Sequence, residues 1–209
     1  WRNHGYQDFD AFLNAFRHKR RNQFRRERRE MDDQGIEFRV YTGDAITPEV
    51  VDQAFYFYAQ TCERFGPWTS QYLKRPFWDE VSRTMPHRLQ ILLAGRADEP
   101  PVAGTLTLRK GDRRYGRYWG ADEHVRFLHF NACYYFPIEQ AIAEGVQVYE
   151  PGAGGHHKFG RGFEPAFTWS SHYLPDPNLR RILEDHVERE AEAVRHEVEA
   201  LLASSPLKG

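Results

Sequence analysis

The chain has 209 residues, 40% of them hydrophobic and 28% charged, with a formal net charge of −1. This is the balance of an ordinary globular chain, and no apolar run approaches the length of a membrane span. Only two cysteines, Cys62 and Cys133, are present, which excludes a disulfide framework and predicts two reduced, buried thiols. No signal peptide opens the sequence, so a cytoplasmic location is expected. The chain begins at Trp1 rather than Met, which fits a piece of a longer protein.

Charge is unevenly spread. The segment from Arg17 to Arg29 holds eight basic residues against one acid, Glu27, leaving 21 basic and 29 acidic residues elsewhere. An acidic molecule with one strongly basic element points to a phosphate-rich partner for that element.

In chain order, Asp8 is a cap for a helix over about 9–33, with Phe9, Phe12, Leu13, Phe16 and Phe24 on its apolar side and Gly35 beyond its end. Ile36 to Tyr41 alternates as a strand. Thr47-Pro48 opens a helix running to about Arg64, and Gly66-Pro67 breaks it. A shorter helix covers Pro76 to Thr84. Leu89 to Gly95, Val102 to Leu108 and Arg113 to Gly120 read as an antiparallel meander, with Gly111-Asp112 as the turn between the last two. A helix from His129 to Glu144, a short strand over Val146 to Glu150 and a Gly- and His-rich loop follow. The loop leads to an expected strand around Ala166 to Tyr173. Asp176-Pro177 then caps a long helix over 178–203 whose apolar residues include Leu179, Ile182, Leu183, Val187, Val194, Val198 and Leu201.

This order of elements resembles the GNAT acyltransferase fold: an α/β (α+β) chain with a mixed, mostly antiparallel sheet flanked by helices, here with a long C-terminal helix. Local sequences narrow the likeness. The run from Lys19 to Arg29, Tyr115-Gly116-Arg117-Tyr118-Trp119-Gly120-Ala121, Leu128-His129-Phe130 with Cys133-Tyr134-Tyr135, and Glu150-Pro151-Gly152-Ala153-Gly154 with His157-Lys158-Phe159 and Arg161-Gly162-Phe163 resemble the Fem-like (FemAB-type) family of predicted N-acyltransferases, linked to peptidoglycan biosynthesis or recognition. The resemblance spans most of residues 1–209, read as one domain similar to the C-terminal of two tandem domains. It implies transfer of an acyl or aminoacyl group to an amine, with a peptidoglycan precursor as acceptor and acyl-CoA or aminoacyl-tRNA as donor substrate. No cofactor is held permanently. It also implies that the strands Tyr115–Trp119 and Val146–Glu150 splay apart around the donor acyl group.

Each candidate residue has a chemical reading and a bland one. Arg21 and Arg25 fit phosphate contact, because the guanidinium fork pairs with phosphate oxygens; Arg21 also occupies the position three before the apolar Phe24 that the family pattern implicates. A solvated basic face is the alternative. Strict alternation puts Tyr115, Arg117 and Trp119 on one side of their strand and Gly116 and Tyr118 on the other, with Arg117 and Tyr118 assigned to a cleft. The strand's N–H groups are candidates to hold an oxyanion. Glu150 is a candidate general base or a salt-bridge partner. His129 opens the central helix, where a donor phosphate would meet the positive helix end, or is a cap-region residue. His157, Lys158 and Arg161 crowd one loop. The resemblance gives a lysine of this loop a role on phosphate or the reacting carbonyl, although here Lys158 precedes Phe159 rather than following it. Adjacent histidines without a third ligand predict no metal site. The Gly-rich turn of acetyl-CoA enzymes is missing between Gly120 and His129, which favours a donor such as aminoacyl-tRNA. A non-catalytic module that binds tRNA or a cell-wall precursor accounts for the basic helix equally well, and a homo-oligomer built on the two helical segments is a third reading.

Overall fold

A computed structural model describes residues 1–64, 71–152 and 154–208. The expected Gly66-Pro67 break and Ala153 of the glycine loop lie outside these residues. The chain divides into two compact units, Trp1–Gly154 and Gly155–Gly209.

The first unit begins with α1 (Phe9–Asn14), capped by the Asp8 carboxylate, which accepts the Ala11 N–H at 2.7 Å. The basic helix is a separate element, α2 (His18–Asp33), so the single helix expected over 9–33 is corrected to two. The break follows from aromatic packing. Phe16, fully buried, sits edge-on between Phe12 at 5.1 Å and Phe24 at 4.8 Å, and Arg17 turns extended to allow it. Such edge-to-face contacts add about 0.5–1.5 kcal/mol each beyond area burial, enough to outweigh a lost helical turn.

The sheet has five strands in sequential order: β1 (Ile36–Thr42), β2 (Leu89–Arg96), β3 (Ala103–Lys110), β4 (Arg113–Ala121) and β5 (Val148–Glu150). The first four pair antiparallel and β5 joins β4 in parallel. Helices α3 (Pro48–Arg64) and α4 (Arg75–Thr84) cover one face, where Val51, Phe57, Tyr58 and Trp78 pack on Leu89, Ile91, Leu93 and Leu106. The other face carries α2 and a central helix of three parts: α5 (Leu128–Phe130), a π turn over Asn131–Tyr135 and α6 (Phe136–Ala143). Met31, Leu92, Ala94, Ala103, Leu128 and Ala132 form that second core. The outer side of β5 is occupied by Trp1–Asn3, which bridges Val148 through Arg2 and exchanges hydrogen bonds with Tyr149.

The second unit holds α7 (His156–Phe159) and α8 (Pro177–Ala203). Asp176 caps α8 as its sequence predicts, accepting from Asn178 N and Leu179 N at 2.8 and 2.9 Å. The strand expected around Ala166 to Tyr173 does not form; those residues have no regular secondary structure and are exposed. Alternating aromatics alone do not make a strand without an edge to pair with.

Candidate functional site at the splayed strands

Pairing between β4 and β5 is confined to Arg113, Arg114 and Tyr115 with Val148, Tyr149 and Glu150. β4 continues to Ala121, so its outer edge is left unpaired by strand from Gly116 onward among the described residues. Gly116 sits where the two strands part. A Cβ there would lie 3.1 Å from the Tyr149 hydroxyl, so a larger residue would push that hydroxyl aside by a few tenths of an ångström. The Tyr149 hydroxyl donates to the Cys133 carbonyl at 2.7 Å, in the π turn. A widened helical turn alters the regular ladder of carbonyls, and the buried phenol supplies a donor there. Burial pushes that phenol far above its ordinary range, so it stays protonated and donating.

A register shift between Leu106 and Thr107 makes Arg117 an extra residue in β4. The strict alternation expected along Tyr115–Trp119 is therefore corrected: Tyr115 and Tyr118 share the α3 face, while Gly116 and Trp119 lie on the face of the central helix. Beyond the bulge, backbone direction can be read from hydrogen bonds. Asp122 N donates to Val102 O at 2.9 Å, so the even-numbered positions there face β3 and the odd-numbered ones, Trp119 and Ala121, face the open edge. Their carbonyls accept from α3: Thr61 Oγ1 donates to Trp119 O at 2.7 Å and Arg64 to Ala121 O at 3.0 Å. Glycine again permits the approach, since a Cβ on Gly120 would run into the Phe57 carbonyl.

The candidate residues fall into separate groups. Tyr118 is half-buried against Tyr58 at 4.5 Å and Trp78 at 6.1 Å, with the Arg117 guanidinium 5.8 Å from its ring centroid and Arg117 itself exposed. His129 lies half-buried among Trp119, Phe130 and Tyr134 at 5.2–5.6 Å, at the start of the central helix. Phe127, just before it, takes a left-handed conformation at φ 63°. Glu150 is half-exposed and pairs with Arg113 at 3.1 Å. In the second unit, His157 and Lys158 lie in α7 and Arg161 lies two residues beyond its end. Arg161 is buried and donates to the His157 carbonyl at 3.1 Å. Burial, then the charges of Arg161 and Lys158, hold the His157 imidazole below its ordinary pKa.

Arg21 donates to Asn14 Oδ1 at 3.2 Å, and Arg25 lies 3.7 Å from Asp10. Sequence reasoning missed what anchors their helix. Glu27, the lone acid of the basic run, is buried with 1% exposure; its carboxylate accepts from Gln23 and from the Tyr135 hydroxyl, and its carbonyl accepts Asn131 Nδ2 at 2.9 Å. The basic helix is thus pinned to the π turn of the central helix. The available signal was a single acid among bases, four positions from Gln23 and facing inward with Phe24 and Met31. Arg17, Lys19, Arg26 and Arg29 make no ion pair among the described residues and leave α2 with a cationic outer surface.

A cavity of about 370 Å³ opens at the other end of β4, between Thr42, His87, Gln90, Arg109, Arg114 and Glu144. Its two arginines already share the Glu144 carboxylate, at 2.6 and 3.0 Å. No group of three or more His, Cys, Asp or Glu among the described residues is placed to hold a metal, and no helix among them is long and apolar enough to cross a membrane.

Among solved structures, L-PGS from Bacillus licheniformis is similar at 11% identity and TM-score 0.51, over 67% of this chain and 44% of that one. FemX is similar at 14% identity and TM-score 0.50, over 68% of this chain and 49% of that one. At these identities the likeness shows the fold, and the chain spans under half the length of either protein. No curated protein matches the sequence. The family model for FemAB-like proteins, described as peptidoglycan biosynthesis/recognition, matches residues 1–209, and the chain belongs to that family.

Proposed function

We propose that this chain is an N-acyltransferase that moves an acyl or aminoacyl group from an activated donor to an amine, with a peptidoglycan precursor as the acceptor class. The observation that carries the reading is the opening between β4 and β5, which leaves the Trp119 and Ala121 N–H groups on an edge of β4 that no strand covers, while their carbonyls are held by Thr61 and Arg64 of α3. The acceptor amine attacks the donor carbonyl, forming the new C–N bond. The oxyanion is held by N–H groups of the β4 edge, with Lys158 as an additional donor. The amine proton passes to Glu150, or through water to a histidine such as His129 or His157. The C–O or C–S bond to the donor then breaks, and the leaving oxygen or sulfur takes up a proton. No enzyme nucleophile is used. Arg21, Arg25, Arg117 and Arg161 hold phosphates of donor or acceptor. Tyr118, expected in a cleft, instead packs on Tyr58 and Trp78 and backs β4 from the α3 face. A cytoplasmic location belongs to the same proposal, since activated donors are made there.

The test is turnover with a panel of aminoacyl-tRNA and acyl-CoA donors and amine-bearing precursors. With a productive pair, Glu150→Gln is expected to lower kcat by about 10²–10⁴-fold, the usual worth of a positioned general base. Unchanged turnover in both Glu150→Gln and Lys158→Ala removes these two residues from the mechanism.

The cationic outer surface of α2 favours a second reading, a module that binds an anionic polymer without chemistry. Titration with charged tRNA over a range of salt separates the two. Affinity falling steeply with salt, with no product from any donor, supports the module.

A further inference from the structure

We propose that the cavity at the start of β4 binds the phosphate group of a small molecule, at a site separate from the opening between β4 and β5. Strand register builds its floor. Leu89, Ile91 and Leu93 of β2 pack in the core under α3 and α4, so Gln90 faces the side of the central helix. Directly opposed residues share a face. Gln90 stands opposite Thr42 on β1 and Thr107 on β3, and Arg109, two positions beyond Thr107, stands opposite Arg114 on β4. Thr42, Gln90, Arg109 and Arg114 therefore come together on one face at one end of the sheet. The central helix ends there: Ala143 is its last residue, and Glu144, its cap residue, reaches both arginines. His87, from the turn before β2, completes the lining.

This lining is short of negative charge. Its two guanidinium groups share one carboxylate, through the single oxygen Glu144 Oε2. Arg114 is 1% exposed, and burial works against its charge. Its Nη1 donates to the Pro137 carbonyl at 2.8 Å and its Nη2 meets Glu144, but its Nε is buried without an acceptor. A buried cation that is only partly compensated is costly, and a bound anion offsets that cost. The groups nearer solvent are donors. Gln90 Oε1 accepts from Thr107 Oγ1 at 3.2 Å, which leaves the Gln90 NH2 group for a ligand. The Arg109 side chain is 41% exposed, and an exposed ion pair is weak, so Arg109 can turn from Glu144 to an incoming anion. Donors converging from Arg109, Gln90, Thr42 and His87 suit a tetrahedral phosphate, whereas a planar carboxylate is served by one guanidinium fork. The 370 Å³ is the space of about twelve waters at roughly 30 Å³ each, enough for a phosphate with a few further atoms. Arg114 and Trp119 are five positions apart on β4, about 16 Å, so one phosphate group cannot serve both the cavity and the opening. The acyl transfer described above uses none of these residues.

The test is an NMR titration of the isotope-labelled 209-residue chain with inorganic phosphate at constant ionic strength, with acetate as the comparison. Saturable shifts are expected at the amides of Thr42, Gly43, Gln90 and Arg109, with acetate binding at least about tenfold more weakly because it engages fewer donors. Arg109→Gln, at an exposed position, weakens phosphate binding about tenfold, the worth of one charge-assisted contact. Glu144→Gln removes the carboxylate that competes with the ligand, so phosphate binds it more tightly than it binds the parent chain and raises its Tm by more. Should Glu144→Gln fail to fold, because it leaves Arg114 buried without a counter-charge, Arg109→Gln alone decides. The other anion-binding candidate is the cationic surface of α2. Shifts confined to residues 18–33 and lost in Arg26→Gln overturn the proposal. So do an absence of saturable shifts around the cavity, equal binding of acetate, or unchanged phosphate binding in Arg109→Gln. None of these readouts depends on acyltransferase activity.

Discussion

Among the described residues, every buried apolar side chain except Phe163 lies in residues 1–154, whereas eight of the eleven exposed large apolar ones lie in residues 155–209. Both regions contain helices with a clear apolar side. In the first, α3 lays Val51, Phe57 and Tyr58 on the sheet. In the second, α8 has no buried residue. Helical periodicity therefore states which face wants cover, and the topology around it decides whether cover exists within the chain. In the first region, the meander supplies a sheet with two faces.

The sharpest way to break this contrast is to remove the same kind of side chain in both regions. Trp78, 2% exposed and packed on Phe55, Tyr58 and Tyr118, should cost about 3–5 kcal/mol as Trp78→Ala. Ile182, 66% exposed on α8, should change stability by less than about 0.5 kcal/mol as Ile182→Ala. Denaturant unfolding followed by circular dichroism measures both. A cost above about 2 kcal/mol at Ile182 means that this side chain is covered in solution, and the contrast between the regions falls.

Next in size is a change that adds an atom. Gly120→Ala drives a methyl group into the Phe57 carbonyl, where neither backbone can give way without moving α3 or β4. A loss of about 1–3 kcal/mol is expected. In a productive assay, the variant should also lose activity beyond its loss of stability, because it displaces the edge of β4 that faces the gap. Gly111, in the turn between β3 and β4, has open space around its missing side chain but a φ of 60°. Gly111→Ala should cost less, about 1 kcal/mol, through backbone strain alone.

These glycines mark what was legible in the sequence and what was not. The meander, its Gly111-Asp112 turn and the Asp176-Pro177 cap could be read directly, because each depends on residues adjacent in sequence. That β4 and β5 part was also expected, through the family resemblance, although the expected strands Tyr115–Trp119 and Val146–Glu150 still pair at Tyr115 and Glu150. The division of the first long helix was not legible, since it depends on Phe16 finding Phe12 and Phe24 in three dimensions. Nor was the bulge at Arg117, which reverses the faces on either side of it and moves Tyr115 to the side of Tyr118. The inward turn of Glu27 depends on Tyr135, 108 positions away. The candidate site residues were legible as types, and their grouping was not: Arg113 as the partner of Glu150 comes from strand pairing alone.

A smaller effect tests whether α8 forms on its local signals. Asp176 accepts two backbone N–H groups of its first turn. Asp176→Ala removes both and should cost about 1 kcal/mol of local helix stability, read as faster amide exchange at Asn178 and Leu179. Exchange at β2 amides should not change, because the first unit draws its stability from its own core.

The smallest expected effect concerns charge in the second unit. His157 has its pKa lowered by burial first, then by Arg161 and Lys158. The folded chain therefore prefers the neutral imidazole more strongly than the unfolded chain, whose histidine titrates near 6.5. Above that pH both states are neutral at this position and nothing is lost. As pH falls through 6.5, the unfolded chain takes up the proton first, so stability declines until the folded imidazole is also protonated. NMR titration of the imidazole should place its midpoint below that of a free histidine, and Arg161→Ala and Lys158→Ala should each raise it. A midpoint at or above the free value would show that the turn of α7 does not hold its basic side chains close to His157. The same measurement decides whether His157 is neutral at pH 7, as a histidine must be to accept a proton from an attacking amine.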